Sequence, residues 1–226
     1  MLFAPFLFIY VILFFAALAF LFVLAEIHVI TYVFGAIGLP PELAFLALLV
    51  SLIGSYVNIP ITEIEGGAPR HIDVVSSFGV RYRLPMHLGR HSATTVAINV
   101  GGAIVPVLIS AYVLMHQPSL ILSAIAGTAI VAFVVHRFAR PVPGLGIATP
   151  MIIPPVVAAL VGIVLAGMHN HADAVAYVSG VLGTLIGADL LNLRKIRDLG
   201  APVASIGGAG TFDGIFLTGI VAVLLA

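Results

Sequence analysis

A chain of 226 residues that is 62% hydrophobic and only 8% charged has too little polar surface for a soluble globule. Its apolar runs of roughly 17 to 24 residues match a bilayer instead. Nine basic against nine acidic residues give a formal net charge of zero, which argues against a nucleic-acid partner, and the absence of cysteine excludes disulfides and thiolate metal sites.

The expected fold is all-α: a polytopic helical membrane protein, one transmembrane domain over residues 1–226, with about seven spans near 3–25, 42–57, 94–115, 119–137, 150–168, 173–192 and 209–226. The first run, Leu2 to Ala25, is too long for a signal-peptide core and lacks a basic flank, so it reads as a retained span. Residues 26–39 either prolong that helix or fold back, with Glu26 and His28 at its outer end, until Pro40-Pro41 stops them.

The loop over about 58–93 is the one long polar segment of the sequence. Within it Ile72-Asp73-Val74-Val75 and Val80-Arg81-Tyr82-Arg83 bracket Ser76 to Gly79, which predicts a β-hairpin. Its Arg and His side chains suit lipid phosphates or a peptide strand, and the plainer reading is a connector lying near anionic headgroups.

In the third span Asn99-Val100-Gly101-Gly102 and Pro106 imply a kink, with Asn99 either satisfied in the packing or lining a site. Arg140 to Pro150 begins the fifth span irregularly. Gly180, Gly183 and Gly187 give the sixth a smooth face for a neighbour. His169, His171 and Asp173 cluster in the loop before it, but nothing regular holds them, so no metal and no cofactor is assigned. All nine Lys and Arg fall in loops on one side of these spans. The positive-inside rule places the protein in the cell inner or plasma membrane with its N-terminus cytoplasmic, the 58–93 loop cytoplasmic and its C-terminus outside.

The chemistry concentrates between Gly187 and Gly214. Asp189 lies in an apolar run, roughly 7 Å below Arg194 along a helix, and Asp213 opens the last span on the same side after Gly207-Gly208-Ala209-Gly210-Thr211. A carboxylate at such a depth costs on the order of 2.5 to 3.5 kcal/mol, and two near one another must share a proton or a cation. Three readings follow. In a hydrolase Asp189 and Asp213 are catalytic, one taking a proton from water and the other giving one to a carbonyl, with Gly208, Gly210, Thr211, Asn192 and Asn99 binding a transmembrane peptide. In a proton- or cation-coupled transporter or channel the acids hold a proton or monovalent cation, with Asn99, Thr211 and Asn192 as co-ligands. In a structural or binding membrane protein Asp213 favours a helix N-terminus and Asp189 pairs with Arg194 or Lys195. Membrane lipid is the surrounding partner in all three. The sequence carries no phosphate-binding loop, dinucleotide fingerprint, zinc-protease helix or serine nucleophile elbow.

Gly187 to Leu193, Ile206 to Phe216, Arg140 to Pro150 and Asn99 to Pro106 together resemble an uncharacterised prokaryotic family of multi-pass membrane proteins, domain of unknown function 1614. That resemblance supports the architecture and the two aspartates. More distantly, the chain is similar to the intramembrane aspartyl proteases of the presenilin, signal-peptide-peptidase and prepilin-peptidase group, which carry one Asp in each of two helices, the second in Gly-x-Gly-Asp. Here Thr211 and Phe212 stand between Gly210 and Asp213, Ala188 precedes Asp189 where presenilins have Tyr, and no Pro-Ala-Leu lies near the C-terminus.

Overall fold

The computed structural model describes residues 4–65, 73–75, 81–83, 93–142, 146–166, 171–196, 203–208 and 214–226. Among these lie seven helices: α1 (Ala4–Ala36), α2 (Pro41–Gly54), α3 (Val100–His116), α4 (Pro118–Phe138), α5 (Ile153–Ala166), α6 (Ala172–Lys195) and α7 (Gly214–Leu225). Three have the length and apolar character to cross a membrane: Ile9–Ala36 of α1, α4 and α6. The other four are apolar but run only 10–17 residues, so the expectation of seven full spans is corrected to seven helices of which three have span length.

The described residues are mostly helical, and three small sheets accompany the helices. Strands β1 (Asn58–Glu65), β4 (Ala93–Asn99) and β7 (Val203–Ile206) form a sheet with β4 in the middle. β1 pairs with β4 antiparallel, and β7 pairs with β4 in parallel, Ile98 opposite Ile206. The first residues of the expected third span are thus a strand. Thr94, Thr95, Val96 and Ile98 are β-branched side chains that suit a pleated surface better than a helix. The hairpin expected in the 58–93 loop is present: β2 (Asp73–Val75) pairs antiparallel with β3 (Arg81–Arg83), Val74 opposite Tyr82. The irregular segment after α4 is a further hairpin, β5 (Arg140–Val142) with β6 (Gly146–Ala148).

Helix α1 continues past Glu26 to Ala36, which settles the 26–39 region as its extension. It ends where Gly38 adopts φ +88°, the Leu39 amide donating to Phe34 O at 2.9 Å and the Gly38 amide to Gly35 O at 3.0 Å. That pairing satisfies the last carbonyls, and Phe34 and Leu39 join one apolar cluster beneath it.

Helix α6 is the centre of the bundle: 67% of its most apolar window is buried, against 33% for α4 and 0% for α1. Its neighbours approach through glycine. A Cβ on Gly127 would stand 2.9 Å from Ser179 Cβ, and one on Gly183 2.6 Å from Val131 Cβ. One on Gly187 would stand 2.5 Å from Ala132 O and 3.0 Å from Val135 Cβ. The constant offset along both chains means that α4 and α6 run parallel, in contact over three turns. Gly180 faces Ala158 of α5 and Thr218 of α7, so the glycine face expected from the sequence is a packing face. Below it Tyr177, Phe34 and Phe216 are buried, Phe34 standing edge-on to Tyr177 at 6.5 Å and to Phe216 at 6.2 Å.

Candidate functional site

The sheet brings two strand ends together at one end of the bundle, and each strand leads towards a helix. At the end of β4, Asn99 is 1% exposed. Its Oδ1 accepts from the Gly102 amide at 2.7 Å, capping α3, which opens in a wide π-turn (Val100–Ile104). Its Nδ2 donates to Ser55 O at 2.7 Å and to Asn58 Oδ1 at 3.1 Å, and Ser205 Oγ donates to the same Asn58 oxygen at 2.5 Å. These bonds tie α2, β1, β4 and β7 into one polar frame. Both functions of the Asn99 amide are thereby used.

At the end of β7, Gly207 and Gly208 take φ +83° and +90°, a conformation that side chains disfavour. A Cβ on Gly207 would also lie 2.5 Å from Ala103 Cβ. Conformation and space alike require glycine there. This turn presents its Gly207 amide to α6, where it donates to Asp189 Oδ2 at 2.9 Å.

Asp189 is half-buried and closes a π-turn of α6 (Leu185–Asp189), followed by a tight 3-10 turn (Leu190–Asn192). Such a widening is frequent at functional sites because it redirects side chains that a regular helix would aim elsewhere. Asn192, 0% exposed, donates through Nδ2 to Ala188 O at 2.8 Å and Gly187 O at 3.0 Å. It also lies 3.2 Å from His136 Nδ1, which is itself 3.3 Å from Gly187 O. Beside the turn a wholly apolar groove of about 280 Å³ runs between α3 and α6, lined by Ile98, Ala103, Ile104, Leu185, Leu190 and Ile206 among others.

Of the residues singled out in the sequence, the structure places Asp189 and Gly208 at the β7 turn. Asn99 sits at the end of the neighbouring strand, and Asn192 lies inside the α4–α6 contact. Asp213, Gly210 and Thr211 lie outside the described residues. Among the described residues no group of three His, Asp or Glu is placed to hold a metal. Asp173 turns back on its own helix, accepting from the Ala174 amide at 2.8 Å. His136 was missed by the sequence reading, although a polar residue one position before Arg137 at the end of an apolar helix was the available signal.

The family described as Protein of unknown function (DUF1614) matches residues 52–225, a stretch that takes in the sheet, the Asp189 turn and the glycine-rich segment after β7. The chain belongs to that family. DUF1614 thus covers every candidate site residue, whereas all of α1 lies outside the matched stretch. No curated protein and no solved structure matches the chain.

Proposed function

We propose that this DUF1614 protein is a membrane-embedded hydrolase of the aspartyl-protease type, in which Asp189 and Asp213 act as a pair on a membrane-spanning peptide. The observation that carries the reading is the 2.9 Å bond from the Gly207 amide to Asp189 Oδ2, which ties the start of the glycine-rich segment bearing Asp213 to the first carboxylate. In such a pair one carboxylate removes a proton from water as it attacks the peptide carbonyl, and the protonated partner gives its proton to the carbonyl oxygen. The tetrahedral species then expels the amine as the proton passes to nitrogen. The distant resemblance to the presenilin group supports the same roles. The apolar groove beside the turn fits a substrate arriving from the bilayer rather than from water.

The protein is proposed to lie in the inner or plasma membrane, with the N-terminus and the β2–β3 hairpin cytoplasmic and the C-terminus outside, the placement that the positive-inside rule gives when all seven helices cross. A structural role for Asp189 is the competing reading, since a carboxylate that only accepts from the Gly207 amide needs no chemistry.

Purified protein incubated with a membrane-spanning peptide separates the readings. Cleavage by the unmodified protein that is lost in both Asp189→Asn and Asp213→Asn, without loss of fold, supports the hydrolase. The double variant should be no worse than either single one, because members of one catalytic unit fail together. No cleavage by the unmodified protein, with stability that responds to Na⁺ or pH through either Asp, gives the site to ion-coupled transport. No cleavage and no ion response leaves Asp189 as a structural group.

A further inference from the structure

We propose that His136 and Asn192 are positioning residues: together they form a buried latch that holds the π-turn of α6 in the register that delivers the Asp189 carboxylate to the Gly207 amide. Where a helix widens into a π-turn its regular ladder of bonds is interrupted, and carbonyls at the turn need donors from elsewhere. Asn192 supplies two N–H bonds from its side chain, to Ala188 O at 2.8 Å and Gly187 O at 3.0 Å. His136 reaches the same Gly187 oxygen from the neighbouring helix, its Nδ1 at 3.3 Å.

The latch needs a particular imidazole tautomer. Asn192 has two N–H hydrogens, and each reaches a carbonyl oxygen of the turn; Gly187 O has a second lone pair. With the imidazole proton on Nδ1, three N–H groups meet three lone pairs, and the 3.2 Å contact between His136 Nδ1 and Asn192 Nδ2 is a side-by-side approach of two donors sharing one acceptor. With Nδ1 bare, it would accept from Asn192 Nδ2 at 3.2 Å and face the Gly187 oxygen lone pair to lone pair at 3.3 Å, so that His136 would give the turn no donor. The Nδ1–H tautomer is therefore the one that the latch requires.

The latch has a rigid seat. The near approach of Gly187 to Ala132 O and Val135 Cβ leaves no side-chain space between the helices and brings His136, the next residue of α4, against the turn. Asn192 is 0% exposed and its Oδ1 has no hydrogen-bond partner among the described residues, so this site bears the burial of an unused acceptor. An apolar residue would avoid that cost but would remove both side-chain bonds to these carbonyls. The amide's two donors are the reason for a polar side chain here. Ala188, whose carbonyl the latch holds, shares its peptide plane with Asp189. Freeing that plane turns the Asp189 side chain away from Gly207.

The kinetic consequence rests on the hydrolase reading; the geometric one does not. Hydrogen exchange of the purified full-length protein in detergent is followed over residues 185–192 and 203–208, with peptide cleavage measured alongside. His136→Phe keeps a ring and removes the donor, whereas His136→Gln keeps a side-chain N–H donor. In His136→Phe both segments should exchange faster, on the order of tenfold, and in His136→Gln both should return towards the native rates. Where the protein cuts peptide, kcat should fall on the order of tenfold in His136→Phe with KM little changed, because a positioning residue acts on the transition state. Faster exchange at both segments in a protein that cuts no peptide supports the latch and removes the hydrolase. Faster exchange over 185–192 with native rates over 203–208 overturns the proposal, since His136 would then pack against α6 without acting on the Asp189 contact. If His136→Phe fails to fold, imidazole nitrogen spectra of the native protein, assigned by loss in His136→Gln, decide instead. A single Nδ1–H tautomer supports the latch, and an Nε2–H tautomer or a signal averaged between the two overturns it.

Discussion

A methyl group placed on Gly101 would stand 2.0 Å from the Ser51 carbonyl oxygen and 2.5 Å from the Ser55 amide nitrogen. Helix α2 and the opening turn of α3 thus meet backbone to backbone, and Ser51 Oγ seals the contact by donating to Gly101 O at 2.7 Å. Because backbone cannot swing aside as a side chain can, Gly101→Ala is expected to destabilise the protein by about 3 kcal/mol, the upper end for overpacking. Gly35, inside α1 with nothing within 4 Å of the place a methyl group would take, is the control: Gly35→Ala should stabilise by roughly 0.5 to 1 kcal/mol. Thermal unfolding in detergent followed by circular dichroism measures both. Native stability in Gly101→Ala would mean that α2 and α3 separate at no cost.

Tyr177 lies among Phe34, Val181 and Gly219 with 1% exposure, and its hydroxyl has no hydrogen-bond partner among the described residues. Removing an unpaired buried hydroxyl recovers its desolvation cost while keeping the ring contacts. Tyr177→Phe is therefore expected to raise stability by about 1 kcal/mol. The same melting experiment reads it, and a loss of stability would reveal a partner for the hydroxyl.

The Asp189 contact predicts a split between two substitutions. Asparagine retains an oxygen able to accept from the Gly207 amide, whereas leucine leaves that N–H without its acceptor. Asp189→Asn should therefore melt within about 1 kcal/mol of the native protein, and Asp189→Leu should lose about 1 to 3 kcal/mol. Equal melting of the two variants would mean that the bond does not hold the turn. Near-native melting of Asp189→Asn also makes it a clean probe of chemistry.

The basic residues predict which side each segment occupies. A reporter fused after Ala226 should behave as non-cytoplasmic, and one inserted between β2 and β3 as cytoplasmic. Since α2, α3, α5 and α7 are shorter than a full span, this also tests whether the number of them that cross before each reporter is the expected one, to within an even number. The opposite location at either point would mean that an odd number of the intervening helices does not.

Reading residues in order captures what depends on each segment alone. Long apolar runs report the transfer of a segment out of water, so the presence of helices apolar enough to cross a membrane and the approximate places of the helices were legible. The alternation around Ser76 to Gly79 likewise yielded the β2–β3 hairpin, whose partners are close in sequence. Asp189 and the glycines after Ile206 stood out because a charge in an apolar run and a glycine cluster are each costly without a use.

What the tertiary structure decided is which distant groups satisfy one another. Ala93–Asn99 is apolar enough to pass for the start of a span, and it becomes a strand because Asn58–Glu65 and Val203–Ile206 supply its hydrogen bonds from both sides. The glycine face of α6 was visible, but that Gly187 seats against Ala132 and so brings His136 to the turn was not. Nor could local sequence place Asn192 against His136, 56 residues away, or Asp189 against Gly207, 18 residues away across a strand. Hydropathy measures the free energy of each segment with its solvent. A buried carbonyl or carboxylate is satisfied only by the donor that folding brings to it, and that donor's position is a property of the packed helices and sheet.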